Sequence, residues 1–422
     1  MRKLLAALLA LCLVIPCAFA EEDPPWEPDP RQYFCGDYAY ILLEDGTAEV
    51  SGYAGRASVL TVPDSLDGIP VTGIGEKAFA DCDSLEEVTV PDGVTYIGNE
   101  AFIDCECLRG IIIPDSVTGI GDYAFSQCDC LDGIRIPDGV TVIGDGTFAC
   151  CSFLTEITIP EGLTSIGYKA FEYCGSLPDL SLPDSMTSIG DFAFSECTSL
   201  AEINIPNGVT GIGERAFDDC ISLREITIPG SVSNIGAGAF GSCESLAAVT
   251  ITEGVTGIGD WAFVCCGSLS EITLPDSVNS VGMNPFTGCT NLSEIIVSPE
   301  HPVLAVMDGA LISRSDSRLV CYPRMRAEKT CTVPDGICTI GESAFDGCRN
   351  LSRIILPDTV IQIRETAFSD CESLAEMTIP DSVTYIGGSA FYRCDSLTVT
   401  VPAGSYAEEY CKENDIQYIA SP

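Results

Sequence analysis

The clearest pattern in the chain is a 23-residue period of apolar and polar positions. Phenylalanine recurs with a step of 23 residues from Phe79 to Phe286, and again from Phe345 to Phe391. Around each of these repeat phenylalanines the unit reads V-x-x-I-G-x-x-A-F-x-x-C-x-x-L-x-x-I-x-I-P-D-x. A fixed period of this kind indicates a solenoid in which each unit forms one turn, here called a rung, and contacts only its neighbours.

The L-x-x-I-x-I spacing within each unit predicts a short β-strand. Side chains alternate along a strand, so Ile111 and Ile113 point to the same side while the residues between and before them point outward. Stacked rungs then form a parallel sheet. One rung alone buries too little apolar surface to offset the ordering of its residues, at about 1–2 kcal/mol each, so we expect one cooperative array.

Two further positions in the unit predict a turn beside the repeat phenylalanine. A glycine stands four residues before it in almost every rung, as at Gly75 and Gly98, and this glycine column is broken at Arg364. We expect these glycines to supply a positive φ. An acidic residue often follows, as at Asp122 and Asp145, and we expect it to cap a short helical turn.

The repeated unit resembles the BspA-type leucine-rich repeat of bacterial secreted and surface proteins. The resemblance rests on the A-F-x-x-C-x-x-L core with the L-x-x-I-x-I spacing, and it extends over residues 36–414. It implies a right-handed leucine-rich repeat array of 23-residue units, each with a β-strand and a short helical turn. It also implies an extracellular location and binding of proteins or glycans in adhesion, without catalysis.

The same resemblance extends to the ends of the array and to the break in the period. The stretch DYAYILLEDGTAEVSGYAG resembles a capping β-hairpin, SYAEEYCKEN resembles a closing helix with Ser405 as its N-cap, and DGALISRSDSRLVCYP reads as an inserted β-hairpin. The predicted organisation is a signal peptide (1–20), an acidic Pro-rich linker (21–35), an N-terminal cap (36–73), repeats (74–297), an inserted β-hairpin segment (298–338), repeats (339–402) and a C-terminal cap (403–422).

The first 20 residues have the features of a secretory signal peptide. Arg2 and Lys3 precede an apolar stretch, and Ala18-Phe19-Ala20 fits the small-x-small cleavage site. A lipoprotein modified at Cys17 is the disfavoured alternative, because the residues before it fit a lipobox poorly. No later apolar stretch approaches the ~20 residues that span a bilayer. We therefore predict a secreted, extracellular monomer, and association with the cell surface stays open.

Charge narrows the classes of partner. The chain has 62 acidic and 20 basic residues and a net charge of -42. Such a surface repels nucleic acid and anionic lipid, and it favours cations or basic partners. Because hydrophobic residues make up 46% of the chain, it is not a disordered acidic tail.

Cysteine also follows the period. The cysteine column, three residues after the repeat phenylalanines, is predicted to consist of small buried free thiols rather than disulfides or metal thiolates, since no C-x-x-C pair supports a zinc site. Cys107 and Cys130 occupy one further equivalent position on adjacent rungs, and they are candidates for a disulfide. The column comprises Cys82, Cys105, Cys128, Cys151, Cys174, Cys197, Cys220, Cys243, Cys266, Cys289, Cys348, Cys371 and Cys394.

The outward positions of the predicted strand form two columns. The acidic column comprises Glu87, Glu156, Asp179, Glu202, Glu225, Glu271, Glu294 and Glu376. The hydroxyl column, two residues further on, comprises Thr89, Thr158, Ser181, Thr227, Thr250, Thr273 and Thr378, with Asn204 at the equivalent position of its rung. The two columns form either a solvated, aggregation-resistant surface or a binding face for Ca²⁺, a basic protein or a hydroxyl-rich glycan. Neighbouring carboxylates repel by only about 1 kcal/mol in water-like surroundings, so the column permits Ca²⁺ without requiring it.

The inserted segment departs from the acidic pattern. It contains Arg314, Arg318, Arg324 and Arg326, together with His301, the only histidine. This basic group either binds an external partner or docks against acidic rungs of the same chain. Inserted loops on solenoids often have functional roles.

Catalysis is not predicted. Acid–base chemistry needs a local departure, such as two carboxylates of unequal pKa at one rung, whereas these carboxylates repeat uniformly. No nucleophile motif accompanies His301, and no cofactor site is evident. We predict a secreted, non-catalytic protein that binds an extracellular protein or glycan through the sheet face. The alternatives are a structural or Ca²⁺-dependent surface-layer protein and, more remotely, a polysaccharide-cleaving solenoid enzyme.

Overall fold

The computed structural model describes residues 32–422, which form a β-solenoid of about 16 turns. Each rung contributes one strand to each of two parallel ladders and a run of hydrogen-bonded turns to a third side. The predicted array of 23-residue units is confirmed. The predicted signal peptide, the lipoprotein alternative at Cys17 and most of the linker lie outside the described residues.

The first ladder consists of the strands predicted from L-x-x-I-x-I. Equivalent residues pair across adjacent rungs, for example Glu225 with Ala248 and Ile226 with Val249, so the rungs stack without a register shift. The strands are β4 (Val59–Thr61), β7 (Glu87–Thr89), β9 (Gly110–Ile112), β11 (Gly133–Arg135), β13 (Glu156–Thr158), β15 (Asp179–Leu180), β17 (Glu202–Ile203), β19 (Glu225–Ile228), β21 (Ala248–Ile251), β23 (Glu271–Leu274), β25 (Glu294–Val297), β29 (Thr330–Thr332), β31 (Arg353–Ile355), β33 (Glu376–Thr378), β35 (Thr398–Pro402) and β36 (Tyr418–Ser421).

The second ladder consists of two-residue strands that end at the isoleucine or valine of the V-x-x-I segment. Each of these apolar side chains is buried, and the residue before it is more exposed except at Gly257. The strands are β8 (Tyr96–Ile97), β10 (Gly119–Ile120), β12 (Val142–Ile143), β14 (Ser165–Ile166), β16 (Ser188–Ile189), β18 (Gly211–Ile212), β20 (Asn234–Ile235), β22 (Gly257–Ile258), β24 (Ser280–Val281), β30 (Thr339–Ile340), β32 (Gln362–Ile363) and β34 (Tyr385–Ile386).

The third side, here called the turn edge, is formed by the turns around the repeat phenylalanines. From Phe79 to Phe286 the rings stack with centroids 4.9–5.9 Å apart and nearly parallel planes. The amide of Phe79 donates to the carbonyl of Ala101 on the next rung at 2.8 Å, and equivalent bonds recur along the array. Adjacent rungs are therefore joined on this side both by stacked, buried rings and by backbone hydrogen bonds. These two contacts together fix the distance between rungs.

The expectation that the glycine column supplies positive φ is wrong. Positive φ occurs instead two residues before and two residues after the repeat phenylalanines, as at Lys77 (55°) and Asp81 (56°), except at Asn284 before Phe286. The glycines are needed because adjacent rungs approach closely: a Cβ on Gly213 would lie 2.4 Å from the amide nitrogen of Asp191 and the carbonyl carbon of Gly190. A side chain on Gly213 would collide with backbone of the preceding rung.

The predicted capping role of the acidic residues is also wrong. The aspartates at this position accept a hydrogen bond from the equivalent backbone N–H of the next rung, as when Asp122 Oδ1 accepts from the amide of Asp145 at 2.8 Å. The rung contains no α-helix to cap, so the carboxylate satisfies a backbone donor that neither ladder uses. This aspartate ladder comprises Asn99, Asp122, Asp145, Asp191 and Asp260.

Both ends of the array are closed by caps. At the N-terminus β1 (Gln32–Cys35), β2 (Tyr38–Leu42) and β3 (Ala48–Tyr53) form an antiparallel meander. β3 pairs in parallel with β6 (Ile69–Ile74), which itself pairs with β5 (Ser65–Leu66) and β8. At the C-terminus α1 (Tyr406–Glu413) begins after Ser405, whose hydroxyl accepts from the amide of Glu408 at 3.2 Å. The predicted hairpin cap, helix cap and N-cap residue are confirmed.

The inserted segment forms a three-stranded antiparallel meander rather than a hairpin alone. It comprises β26 (Leu304–Met307), β27 (Ala310–Ser313) and β28 (Arg318–Cys321), and β28 then pairs in parallel with β30. Its side chains alternate between two hydrophobic cores: Leu311 packs into the N-terminal core, and Ile312 packs into the C-terminal core. The insertion therefore separates the repeats into an N-terminal and a C-terminal array.

Candidate binding surface

The acidic column lies on the solvent side of the first ladder, as the alternation of side chains requires. Glu156, Glu202 and Glu225 are exposed, while the residues that follow them point into the solenoid. Within residues 32–422 these three carboxylates form no ion pair and accept no side-chain hydrogen bond. The same exposure holds for the remaining predicted members, Glu87, Asp179, Glu271, Glu294 and Glu376.

The hydroxyl column runs beside the acidic column. Thr158 and Thr227 are exposed, so carboxylates and hydroxyls lie on one face of the sheet. The columns are interrupted on β9 and β11: Ile112 is 66% exposed, and Arg135 forms an ion pair with Asp115 at 2.6 Å. We call this surface the sheet face. Its repeated oxygen atoms can accept hydrogen bonds or attract cationic groups over many rungs.

No group of three or more His, Cys, Asp or Glu side chains converges as a metal site anywhere in the described part of the chain. Carboxylates on successive rungs of the sheet face are aligned rather than gathered around one point, whereas Ca²⁺ takes six to eight oxygen ligands. Binding of Ca²⁺ to the acidic column therefore stays a prediction.

The four arginines of the insertion all have intramolecular partners. Arg318 donates from Nη1 to Gly282 O at 3.0 Å and from Nη2 to Val281 O at 2.7 Å, so it covers the last strand of the N-terminal second ladder. The other contacts are Arg314 Nη1 to His301 O at 2.7 Å, Arg324 Nη2 to Asp346 Oδ2 at 2.8 Å and Arg326 Nη2 to Glu328 Oε1 at 2.6 Å. Arg318 and Arg324 thus dock against rungs of the same chain, whereas Arg314 and Arg326 contact the insertion itself. Binding of an external partner stays a prediction.

His301 is buried at the start of the insertion. Its Nδ1 accepts hydrogen bonds from the amides of Val303 and Leu304, and its Nε2 lies 3.1 Å from Pro275 O. This arrangement fits the neutral tautomer that has the proton on Nε2. The ring thus links the insertion to the preceding array, and both of its nitrogens are engaged in structural contacts.

The cysteine column lies inside the solenoid between the phenylalanine stack and the first ladder. From Cys105 onward each thiol donates, at 2.9–3.5 Å, to the carbonyl of the repeat phenylalanine one rung earlier, or of Tyr322 in the case of Cys348. Burial raises the pKa of the Cys105 thiol to about 12. The column therefore consists of neutral free thiols, although Cys82 and Cys394 at the array ends are only partly buried.

Cys107 and Cys130 are free thiols in the structure, the first exposed and the second half-buried. The amide of Cys130 donates to Glu106 O at 3.2 Å, so the two residues do lie on hydrogen-bonded neighbouring rungs. Their disulfide remains a prediction for oxidising conditions.

A second set of carboxylates, which sequence reasoning had not singled out, lies on the turn edge. Burial, followed by the neighbouring Asp219, raises the pKa of Asp218 to about 6, and Arg215 at 4.0 Å offsets part of this effect. Burial also raises the pKa of Glu196. The sequence signal was the Asp218-Asp219 pair directly after a repeat phenylalanine, where one of the two side chains packs against the next rung.

These features define the class of protein: a leucine-rich repeat solenoid with regular exposed columns. The family model described as the BspA type leucine-rich repeat region, in six copies, matches residues 72–179, 164–293 and 321–414. The chain belongs to this family.

Solved structures of similar proteins come from several bacteria. A leucine-rich repeat protein from Bacteroides ovatus is 26% identical, over 92% of this chain and 100% of that chain, with a TM-score of 0.59. A leucine-rich cell surface protein from Faecalibacterium prausnitzii is 26% identical, over 93% of this chain and 96% of that chain, with a TM-score of 0.43. No curated protein matches this chain significantly. Over residues 32–422, no helix is both long and apolar enough to cross a membrane.

Proposed function

We propose that this protein is a secreted, non-catalytic binding protein that attaches to a partner protein outside the cell through the sheet face. The observation that supports the proposal most directly is the row of exposed, unpaired carboxylates beside exposed hydroxyls, repeated on one flat surface. A partner protein with basic side chains matches this charge pattern. Membership of the BspA-type family, whose members are bacterial surface proteins, supports adhesion as the setting.

The absence of catalysis is part of the proposal and rests on uniformity. Glu156, Glu202 and Glu225 stand in equivalent, exposed environments, whereas acid–base pairs need carboxyl groups of different pKa close together. His301, the only histidine, is buried and engaged through both ring nitrogens. Neither feature provides a reactive group at the sheet face.

Binding assays with a matched charge control test the proposal. The purified protein is titrated against a panel of extracellular matrix proteins and mucins, with and without Ca²⁺, beside a variant with Glu156→Gln, Glu202→Gln and Glu225→Gln. The control variant has Asp92→Asn, Asp184→Asn and Asp276→Asn, which remove the same charge from exposed residues that lie outside the acidic column.

The expected result is saturable binding to a basic protein that weakens with salt and is lost in the glutamine variant alone. Equal binding by both variants would place the contact elsewhere. Concentration-dependent self-assembly without any foreign ligand would instead favour the structural role. If binding required Ca²⁺, the acidic column would be interpreted as the site that binds the ion.

A further inference from the structure

One row of side chains on the turn edge does not follow the acidic character of the rest of the surface. It occupies the position two residues before the repeat phenylalanine on seven successive rungs, and we call it the aromatic stripe. An aromatic residue recurs at every third rung, with glycine or a cation between. The members are Tyr123, Gly146, Lys169, Phe192, Arg215, Gly238 and Trp261.

Several members of the stripe contact one another across neighbouring rungs. The ring of Tyr123 covers Gly146 so closely that a Cβ on this glycine would lie 2.1 Å from a ring carbon. Lys169 Nζ lies 5.7 Å and the guanidinium carbon of Arg215 lies 5.9 Å from the ring centroid of Phe192, one on each neighbouring rung. The stripe therefore presents aromatic and aliphatic surface along consecutive rungs.

The two cations of the stripe are neutralised locally. Lys169 pairs with Glu172 at 3.2 Å, and Arg215 lies 4.0 Å from Asp218. In each pair the cation and the carboxylate that balances its charge lie on the same rung. The cations consequently act as spacers beside the rings rather than as a site for an anion.

The fold does not require aromatic residues in this row. All seven positions have a positive φ of 50–60°, which is costly for bulky side chains and free of cost for glycine. Gly146 and Gly238 show that the rung forms equally well with glycine there. Trp261 nevertheless occupies this backbone conformation while 37% exposed and outside the core.

Carboxylates flank the stripe on the side of the second ladder. Asp145 and Asp191 are exposed, and each uses Oδ1 to accept an amide of the next rung. The second carboxylate oxygen of each remains available as an acceptor for hydroxyl groups. A row of hydrogen-bond acceptors thus runs beside the row of aromatic side chains.

The stripe ends at a cavity of about 400 Å³ between the two arrays. The amide of Trp261 donates to Met283 O at 3.2 Å, and Met283 lines the cavity. The other lining residues include Asp316, Glu342, Arg364 and Glu365. Arg364, which breaks the glycine column, has its guanidinium carbon 5.7 Å from the ring centroid of Tyr385. The cavity therefore combines an apolar side chain at the end of the stripe with several hydrogen-bonding groups.

We propose that the aromatic stripe and the cavity at its end bind an uncharged polysaccharide chain. The apolar faces of sugar rings stack on Tyr123 and Trp261. They pack against the edge of Phe192, because Lys169 and Arg215 cover the faces of that ring. The sugar hydroxyls donate to the flanking carboxylates. An anionic polymer is repelled by the net charge of -42. This site is separate from the sheet face and does not depend on the function proposed for it.

Tryptophan fluorescence gives a direct readout, because the chain has only two tryptophans, Trp26 and Trp261. In a Trp26→Phe background, the protein is titrated with soluble neutral polysaccharides: a β-glucan, a xylan, a mannan and a galactomannan. Alginate and polylysine serve as charged comparisons. Affinity electrophoresis in gels that contain each polymer measures the same binding without the fluorophore.

The variants are designed to preserve the fold. Phe192→Gly and Trp261→Gly place glycine where positive φ favours it, and Phe153→Ala removes a 63% exposed ring outside the stripe as a matched control. We expect saturable change in Trp261 emission with a neutral polymer, and affinity lowered at least about tenfold in each glycine variant but not in the control. The Glu156, Glu202 and Glu225 glutamine variant is expected to bind the polysaccharide normally.

Three results with the parent protein and the stripe variants would overturn the proposal, and so would a fourth with the sheet-face variant. These are no saturable response to any neutral polymer, retention of binding in both glycine variants, and binding confined to alginate or polylysine. Loss of binding in the sheet-face variant, with the stripe variants unaffected, would also overturn it and would move the glycan contact to the sheet face.

Discussion

Gly213 and Gly211 lie two residues apart in one rung but have different surroundings. A Cβ on Gly213 meets backbone atoms at 2.4 Å, whereas a Cβ on Gly211 meets nothing within 4 Å, and neither glycine has positive φ. We expect Gly213→Ala to lower the free energy of unfolding by about 1–3 kcal/mol, as overpacking does. Gly211→Ala is expected to stay within about 0.5 kcal/mol of the parent. Urea unfolding compares the two, and equal midpoints would contradict close rung contact as the reason for the glycine column.

Asp218 provides a test of pH dependence at the residue scale. Its pKa is raised from 3.8 to about 6, chiefly by burial, so the folded state binds more protons than the unfolded state between these values. The free energy of unfolding therefore falls as pH rises through this window. Asp218→Asn removes the titration, and we expect it to stabilise the protein by about 1–3 kcal/mol above pH 6, a gain that disappears below pH 4.

Thermal unfolding at pH 4 and pH 7.5 measures this difference. Glu225→Gln, which changes the same charge on an exposed residue, is the control and is expected to change little at either pH. A gain of equal size at both pH values would show that the amide acts through packing rather than through the proton.

At the scale of single elements, β24 is the last strand of its ladder before the insertion. Its carbonyls at Val281 and the following Gly282 accept from Arg318, which reaches across the junction at 2.7 and 3.0 Å. Arg318→Met leaves these acceptors without their charged donor, and we expect a loss of about 2 kcal/mol. Because the insertion already separates two cores, this loss is expected to split unfolding into two steps.

Hydrogen exchange resolved along the chain distinguishes the two arrays. The N-terminal and C-terminal repeats are expected to exchange together in the parent and at different rates in Arg318→Met. Arg349→Met removes an exposed pair with Glu372 and is the control, with little expected effect. A single transition in both variants would mean that the arrays are coupled by other contacts, such as Asn284 Nδ2 to Ser343 O at 2.8 Å.

The sequence predicted those elements in which apolar and polar residues alternate regularly within the element itself. The first ladder follows from L-x-x-I-x-I, because alternation separates Ile111 and Ile113 from the outward residues. The second ladder could not be predicted from the sequence, since a strand of two residues such as Val142–Ile143 is too short to show an alternation of apolar and polar residues. Tyr322 was also missed, although it stands 23 residues before Phe345 and continues the ring stack at 5.5 Å.

At the scale of the whole molecule, charge and periodicity together define two distinct faces. The sheet face could be predicted because an outward position stays outward on every rung. The aromatic stripe could not, because its direction depends on positive φ at residues such as Phe192 and Trp261, which propensity assigns to other conformations. The roles of the glycine column and the aspartate ladder likewise depend on contacts between rungs, which a single unit does not contain.

The in-register stacking of rungs also determines how the protein responds to force. A load applied to the two ends acts along the array, so the terminal rung separates from its neighbour before the rungs behind it are disturbed. Each rung that detaches releases 23 residues, which extend to about 80 Å where the folded rung occupied about 5 Å. Stretching the molecule should therefore give a regular series of small lengthening steps, so that a tether made from this array lengthens gradually under flow instead of breaking.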